Sequence, residues 1–204
     1  MLRTKCLAAA ALAGISCLSG SAFAYTVYVS NEKGNSISVI DGATLEVKET
    51  VPVGQRPRGI MLTKDGKSLL ICASDDDMVQ ILDLASNKIV GTLTSGPDPE
   101  QLNMHPSGSP VYIANEDDSL ATAIDLNERK VVAEVPVGVE PEGVGVSPDG
   151  KTLIVTSETS NMAHFIDTGS YEIVDNVLVG TRPRFAEFTG SQLWVTRRWE
   201  GRSR

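Results

Sequence analysis

Four pairs of charged residues recur at one spacing, each pair straddling a proline. They are Arg56 and Arg58 about Pro57, Asp98 and Glu100 about Pro99, Glu140 and Glu142 about Pro141, and Arg182 and Arg184 about Pro183. The pairs change sign together while the proline stays constant. Proline fixes φ, so each pair is expected to be aimed in the same way. Two arrangements give this pattern: ion pairs that hold neighbouring units in register, or a charged binding site where the units converge. Exposed ion pairs contribute only about 0–1 kcal/mol each. A second acidic set comprises Asp75, Asp76 and Asp77, then Glu116, Asp117 and Asp118, then Glu158, with Glu32-Lys33 before them. It reads either as solvated loop tips or as an acidic crown attracting a basic partner such as an electron-carrier protein. The run Asp75–Asp77 leads straight into Met78-Val79, so it lacks the spacing of a calcium loop.

Other reactive side chains are few. His105 stands where sister units hold Thr63 and Ser147, in a hairpin turn, and is expected to be exposed. His164 has polar sisters, Ser38, Gln80 and Thr122, which predicts an outward face. Neither has a second His or Cys at ligand spacing. Cys72 lies in the apolar run Leu69–Ala73 and reads as a buried small hydrophobe. The sequence carries no Ser-His-Asp signature, no C-x-x-C-H haem site and no phosphate-cradling glycine loop. Trp194 and Trp199 alone could stack on a quinone, and the vicinal cysteines of quinoprotein dehydrogenases are missing. The expectation is a non-enzymatic protein without cofactor or metal. A lactonase or quinoprotein type of enzyme stays open by fold analogy.

The elements that must position these residues follow from the repeat. Asp41, Asp83, Asp125 and Asp167 are 42 residues apart, as are Gly54, Gly96, Gly138 and Gly180. A period near 40 with short apolar runs is the signature of a β-propeller blade. In the second unit the runs are 58–62, 69–73, 78–83 and 88–93, rich in Leu, Ile and Val, and helical periodicity is absent. Asp65-Gly66, Ser107-Gly108 and Asp149-Gly150 mark one hairpin position. Each repeating Asp ends a third strand, where its side chain can bond the backbone two residues on. The predicted architecture is all-β: a propeller of four-stranded antiparallel blades over residues 25–196, about four blades plus a partial fifth. Within it, the charged pairs ring the mouth of a central channel.

Outside the repeats, residues 1–24 read as a secretory signal peptide. Arg3 and Lys5 precede an apolar run from Leu7 to Leu18, and Ala22-Phe23-Ala24 predicts a cut after Ala24. Residues 197–204 break the alternation with four arginines and read as an aberrant tail, as after a frameshift or early stop. Removing Arg3 and Lys5 would take the net charge from −8 to −10. So acidic a protein argues against nucleic acid, and the sequence predicts no membrane insertion. An exported, periplasmic protein is expected.

The unit VYVSN, SISVID, ETVPVG, RPRGIMLTKDG resembles the YVTN family of β-propeller repeats, with its pattern YVTN, TVSVID, TIPVG, PxGVAxSPDGK. The segments SNEKGNSISVID, QRPRG, IANEDD and VDNVLVGTRPRFAEF are similar to periplasmic propellers found with pyrroloquinoline quinone-dependent alcohol catabolism. That resemblance implies a propeller of about seven blades, an accessory role without assigned catalysis, and a periplasmic redox or dehydrogenase partner. It also implies further blades and a returning inner strand. Here the first sheet is expected to lack its inner strand and the fifth unit to hold two strands. A four-bladed closure through Arg184–Phe188, self-association across open blade edges, and a truncated non-functional remnant are the alternatives.

Overall fold

The computed structural model describes residues 25–198. The expected signal peptide lies outside the described residues, as does the tail beyond Arg198. The strands follow the repeat. The first sheet holds β1 (Thr26–Asn31), β2 (Ser36–Asp41) and β3 (Val47–Pro52). The second holds β4 (Pro57–Leu62), β5 (Ser68–Ala73), β6 (Met78–Asp83) and β7 (Lys88–Leu93). The third holds β8 (Pro99–Met104), β9 (Val111–Asn115), β10 (Leu120–Asp125) and β11 (Lys130–Pro136). The fourth holds β12 (Pro141–Val146), β13 (Thr152–Ser157), β14 (Met162–Asp167) and β15 (Ile173–Leu178). A hairpin, β16 (Pro183–Thr189) and β17 (Gln192–Arg197), follows. Strands pair antiparallel with their sequence neighbours, and no α-helix occurs among the described residues.

Local chemistry sets these bounds. Each in-phase Asp closes a third strand and accepts from the turn that follows. Asp125 Oδ1 takes Asn127 N and Glu128 N, both at 2.8 Å, and Asp167 Oδ1 takes Gly169 N and Ser170 N. At the other hairpin position Gly66 and Gly150 have φ of 67° and 75°, a backbone region that glycine enters without steric cost. Inner strands β4, β8, β12 and β16 start on the in-phase prolines. β4, β8 and β12 each lie against the next inner strand.

Packing lies between blades. Leu70, Cys72, Val79 and Ile81 of the second sheet meet Val111, Ile113 and Ile124 of the third. Ala121, Ala123 and Val135 of the third, with Tyr112 and Ala114, meet Val144, Leu153, Val155 and Ile166 of the fourth. Cys72 is fully buried and burial pushes its thiol up, so it serves as a small hydrophobe. The outward face predicted for His164 is wrong: its ring is only 4% exposed. Its Nε2 accepts from Gly138 N at 3.0 Å and faces Ser157 Oγ at 2.9 Å, while Nδ1 faces Asn176 Oδ1. In the second blade Gln80 Oε1 accepts from Gly54 N at 2.8 Å, the same bond two units earlier. These third-strand polar groups tie down the loops that lead into β4 and β12. His105 is half-buried rather than exposed, its Nδ1 2.6 Å from Ser107 Oγ in its turn.

Burial depresses the His164 pKa below its ordinary 6.5. A His with a lowered folded pKa contributes stability that is present above the unfolded value and lost as pH falls. The contribution of His164 should therefore drop on acidification below about pH 6.5. His164→Gln, which can keep the bond to Gly138, should flatten that limb while leaving neutral stability within about 1 kcal/mol. Urea unfolding at several pH values checks this, and an unchanged acid limb would refute it.

Candidate functional site: the charged channel mouth

The residue before each in-phase proline adopts a left-handed backbone: φ is 50° at Arg56, 47° at Asp98, 57° at Glu140 and 52° at Arg182. Such a conformation costs a non-glycine residue roughly 1 kcal/mol. Side chains from the preceding blade hold it. Asn35 Oδ1 accepts from Arg56 N, Asp77 Oδ1 from Asp98 N and Asn161 Oδ1 from Arg182 N, at 3.0, 3.1 and 2.9 Å. Both the proline and this strained residue therefore aim the charged pair.

The pairs converge on one face. Arg56 Nη1 donates to Asp98 Oδ1 at 2.7 Å and its Nη2 to Glu100 Oε1 at 2.9 Å. Arg58 Nε donates to Glu100 Oε2 at 2.5 Å, and Arg58 also lies 3.6 Å from Glu142. Glu142 is 3.4 Å from Arg184. Glu32 approaches Arg56 and Arg58 at 3.5 and 3.4 Å, and Asp75 lies 3.7 Å from Arg56. Glu158 pairs with both Arg182 and Arg184. Glu140 makes no ion pair among the described residues; its carboxylate accepts from Thr159 Oγ1.

The acidic set of the loops is thus divided. Glu158, placed in the solvated crown by sequence, is 1% exposed and belongs to the arginine network. Asp76 accepts from Gln55 N at 2.8 Å and Asp118 from Leu120 N at 3.1 Å, so both brace loops. Asp75 and Asp117 face water, and Glu116 is half-buried. A regularity that sequence reasoning passed over explains the division. Glu32, Ser74, Glu116 and Glu158 are also 42 apart, each at the end of a second strand. Glu32 and Glu158 face arginine pairs, whereas the neutral Ser74 donates to Pro99 O at 2.6 Å beside the Asp98–Glu100 pair. Only Glu116 breaks the complement, because its charge pushes Glu142 up rather than neutralising it.

Carboxylates therefore outnumber cations. Four arginines meet Glu32, Asp75, Asp98, Glu100, Glu142 and Glu158, while Glu116 lies within 4.8 Å of Asp98 and Glu100. Glu100 is fully buried, and desolvation and the facing Glu142 push its pKa up to about 8 despite both guanidiniums. Burial raises Glu142 as well. A carboxyl with a raised folded pKa contributes stability present below its unfolded value and lost as pH rises through the folded one. The contribution of Glu100 should thus decline between pH 4.5 and about 8. Glu100→Gln should remove most of that slope, read by thermal unfolding against pH; an unaltered slope would count against a buried Glu100 that resists ionisation.

The residues available to a metal are Asp98, Glu100 and Glu116, although both oxygens of Glu100 already accept from arginine. Among the described residues neither histidine nor the cysteine faces the mouth. Both ring nitrogens of His164 are engaged inside the fourth blade, and Cys72 is sealed between blades. His105 lies in the turn at the far end of β8.

Blades fanned about a common mouth define a β-propeller. The model of the YNCE-like β-propeller matches residues 3–106, and the chain belongs to that family. The model of the cytochrome D1 heme domain matches residues 65–184. Among solved structures the chain is similar to Kuenenia stuttgartiensis hydrazine synthase. Identity is 26% and the TM-score 0.75, over 80% of this chain and 49% of that one. The chain thus spans about half the length of that structure. No curated protein matches it.

Proposed function

We propose that this chain is a non-catalytic binding propeller of the periplasm, whose charged mouth receives a positively charged group of a protein or small-ligand partner. The observation that carries the reading is the excess of carboxylates over arginines at the mouth, with Glu100 and Glu142 buried beside Arg56 and Arg58 and Glu32, Asp75 and Asp98 around them. A cation entering there gains Coulomb energy where screening is weak, and the solvated Asp75 and Asp117 raise its encounter rate. The expected signal peptide supports export, and the similarity to propellers of quinone-dependent alcohol catabolism supports a redox or dehydrogenase partner. Calorimetric titration against a purified quinoprotein alcohol dehydrogenase and its c-type cytochrome tests this. Binding that weakens with salt, and again in Glu142→Gln, is expected; no heat from either protein would reject the partner class.

A second reading is favoured by the match to the cytochrome D1 heme domain, namely an enzyme-related propeller. In that case the chain should bind haem, with a Soret band on titration. The imidazoles and thiol described above favour the first reading.

A further inference from the structure

The turn from third to fourth strand presents one left-handed residue per unit, with φ of 62° at Leu45, 52° at Asn87, 56° at Arg129 and 59° at Tyr171. One backbone conformation thus carries four different side chains, at the end of the blades away from the mouth. Asn87 Nδ2 donates to Glu49 Oε2 of the preceding blade at 2.6 Å. Tyr171 packs into the cluster that joins the third and fourth sheets, which holds Tyr112 and Ala133. Arg129 does neither. It reaches back to Gly91, the repeat equivalent of Glu49 and Ala133, where a Cβ would lie 2.6 Å from its Nη1. Leu70 likewise stands where the next seam has Tyr112. The groups that close the neighbouring seams are therefore missing here, and a cleft of about 330 Å³ remains between the second and third blades.

Leu70, Ile81 and Leu126 form the apolar side of this cleft, and Lys64 and Arg129 flank it. Lys64 crosses the other way, from the second blade to the third, where its Nζ donates to Pro106 O at 2.6 Å. The nearby carboxylates are occupied. Asp65 accepts from Thr63 Oγ1 at 2.7 Å and Lys67 N at 3.1 Å, and Glu128 lies 3.5 Å from Lys130. Asp83 and Asp125 accept from their own turns. The chain has a net charge of −8, and all four arginines of the mouth meet carboxylates. Arg129 meets none among the described residues, and it stands beside an apolar cleft.

We propose that this cleft binds a small monocarboxylate with an apolar body, its carboxylate paired with the Arg129 guanidinium and its hydrocarbon laid against Ile81 and Leu126. A guanidinium matches a carboxylate through two parallel bonds, which a hydroxyl cannot reproduce, and Lys64 adds a second positive charge. The apolar side favours such a ligand over a bare inorganic anion. The cleft faces away from the mouth and takes the opposite charge, so it stands or falls independently of the reading of the mouth.

NMR and calorimetric titration of the chain with octanoate, octanol and inorganic phosphate tests it. Octanoate should shift the backbone amides of residues 63–68 and 126–130 and leave those of the mouth unmoved. It should bind at least about tenfold more tightly than octanol or phosphate. Arg129→Gln should weaken octanoate at least about tenfold. Gly91→Glu, which supplies the carboxylate that the first blade has at this position, should weaken it similarly with Arg129 still in place. Arg129→Tyr, which copies the fourth blade, should abolish binding, with circular dichroism confirming that all three variants fold. Octanoate held equally by wild type and Arg129→Gln, octanol or phosphate bound as tightly, or shifts confined to the mouth would overturn the proposal. So would an absence of octanoate binding below about 1 mM.

Discussion

Replacing Arg58 by alanine should cost about 3–5 kcal/mol of folding stability, the usual loss when one partner of a buried charge network is removed. Arg58 bonds Glu100, lies near Glu142 and reaches Glu32, and it holds the first two carboxyls down. Without it, both buried carboxylates face each other across the mouth with less neutralisation. They would take up protons instead, so the loss should depend on pH. Below the ordinary carboxylate range both are neutral and the cost shrinks; it grows as pH rises through about 8, where Glu100 ionises. Urea unfolding at about pH 5 and about pH 9 separates the cases. A loss under about 1 kcal/mol, equal at both pH values, would mean that Arg58 is a solvated surface charge.

The second large effect belongs to the blade interface. Leu70 is fully buried in the cluster that joins the second and third sheets. Leu70→Ala should cost about 2–5 kcal/mol, transfer plus cavity, because the surrounding strands are fixed by their ladders and collapse little. The same side chain separates two accounts of cooperativity. If blades are stable only through their neighbours, the variant unfolds in one shifted transition with an unchanged denaturant slope. Two resolved transitions would show that individual blades stand alone.

Much of this was legible in the sequence because a repeat supplies its own controls. Asp41, Asp83, Asp125 and Asp167 located every third-strand end, and the expected 58–62 strand differs from the observed Pro57–Leu62 by one residue. Among the described residues the first sheet lacks an inner strand and the fifth unit holds two strands, as the pattern requires. Arg184–Phe188 pairs with β17, not with the first sheet, so four-bladed closure is not the arrangement formed. The charged pairs were visible because they flank invariant prolines.

What escaped was burial decided by the next unit. His164 alternates with apolar neighbours and so looks solvated within its own strand. Its polar edge is in fact capped by Gly138 of the loop arriving from the previous blade. Glu158 looked like a loop tip for the same reason, and only its partners Arg182 and Arg184, more than twenty residues away, bury it. Strand periodicity reports one sheet's two faces and is silent about what covers them. The 42-residue step of Glu32, Ser74, Glu116 and Glu158, compared with the sign of the pair each one faces, was the available signal.

The functional reading depends on the mouth holding more carboxylates than arginines, so that the buried Glu100 is not fully compensated. Carbon-13 NMR titration of glutamate carboxyls, with Glu100→Gln to assign the signal, tests that directly. One carboxyl, absent from the variant, should titrate at about 8. If every glutamate instead titrates in the ordinary range near 4.5, Arg56 and Arg58 already compensate the buried Glu100 and Glu142 fully, and no under-compensated carboxyl is left there to draw a cationic partner.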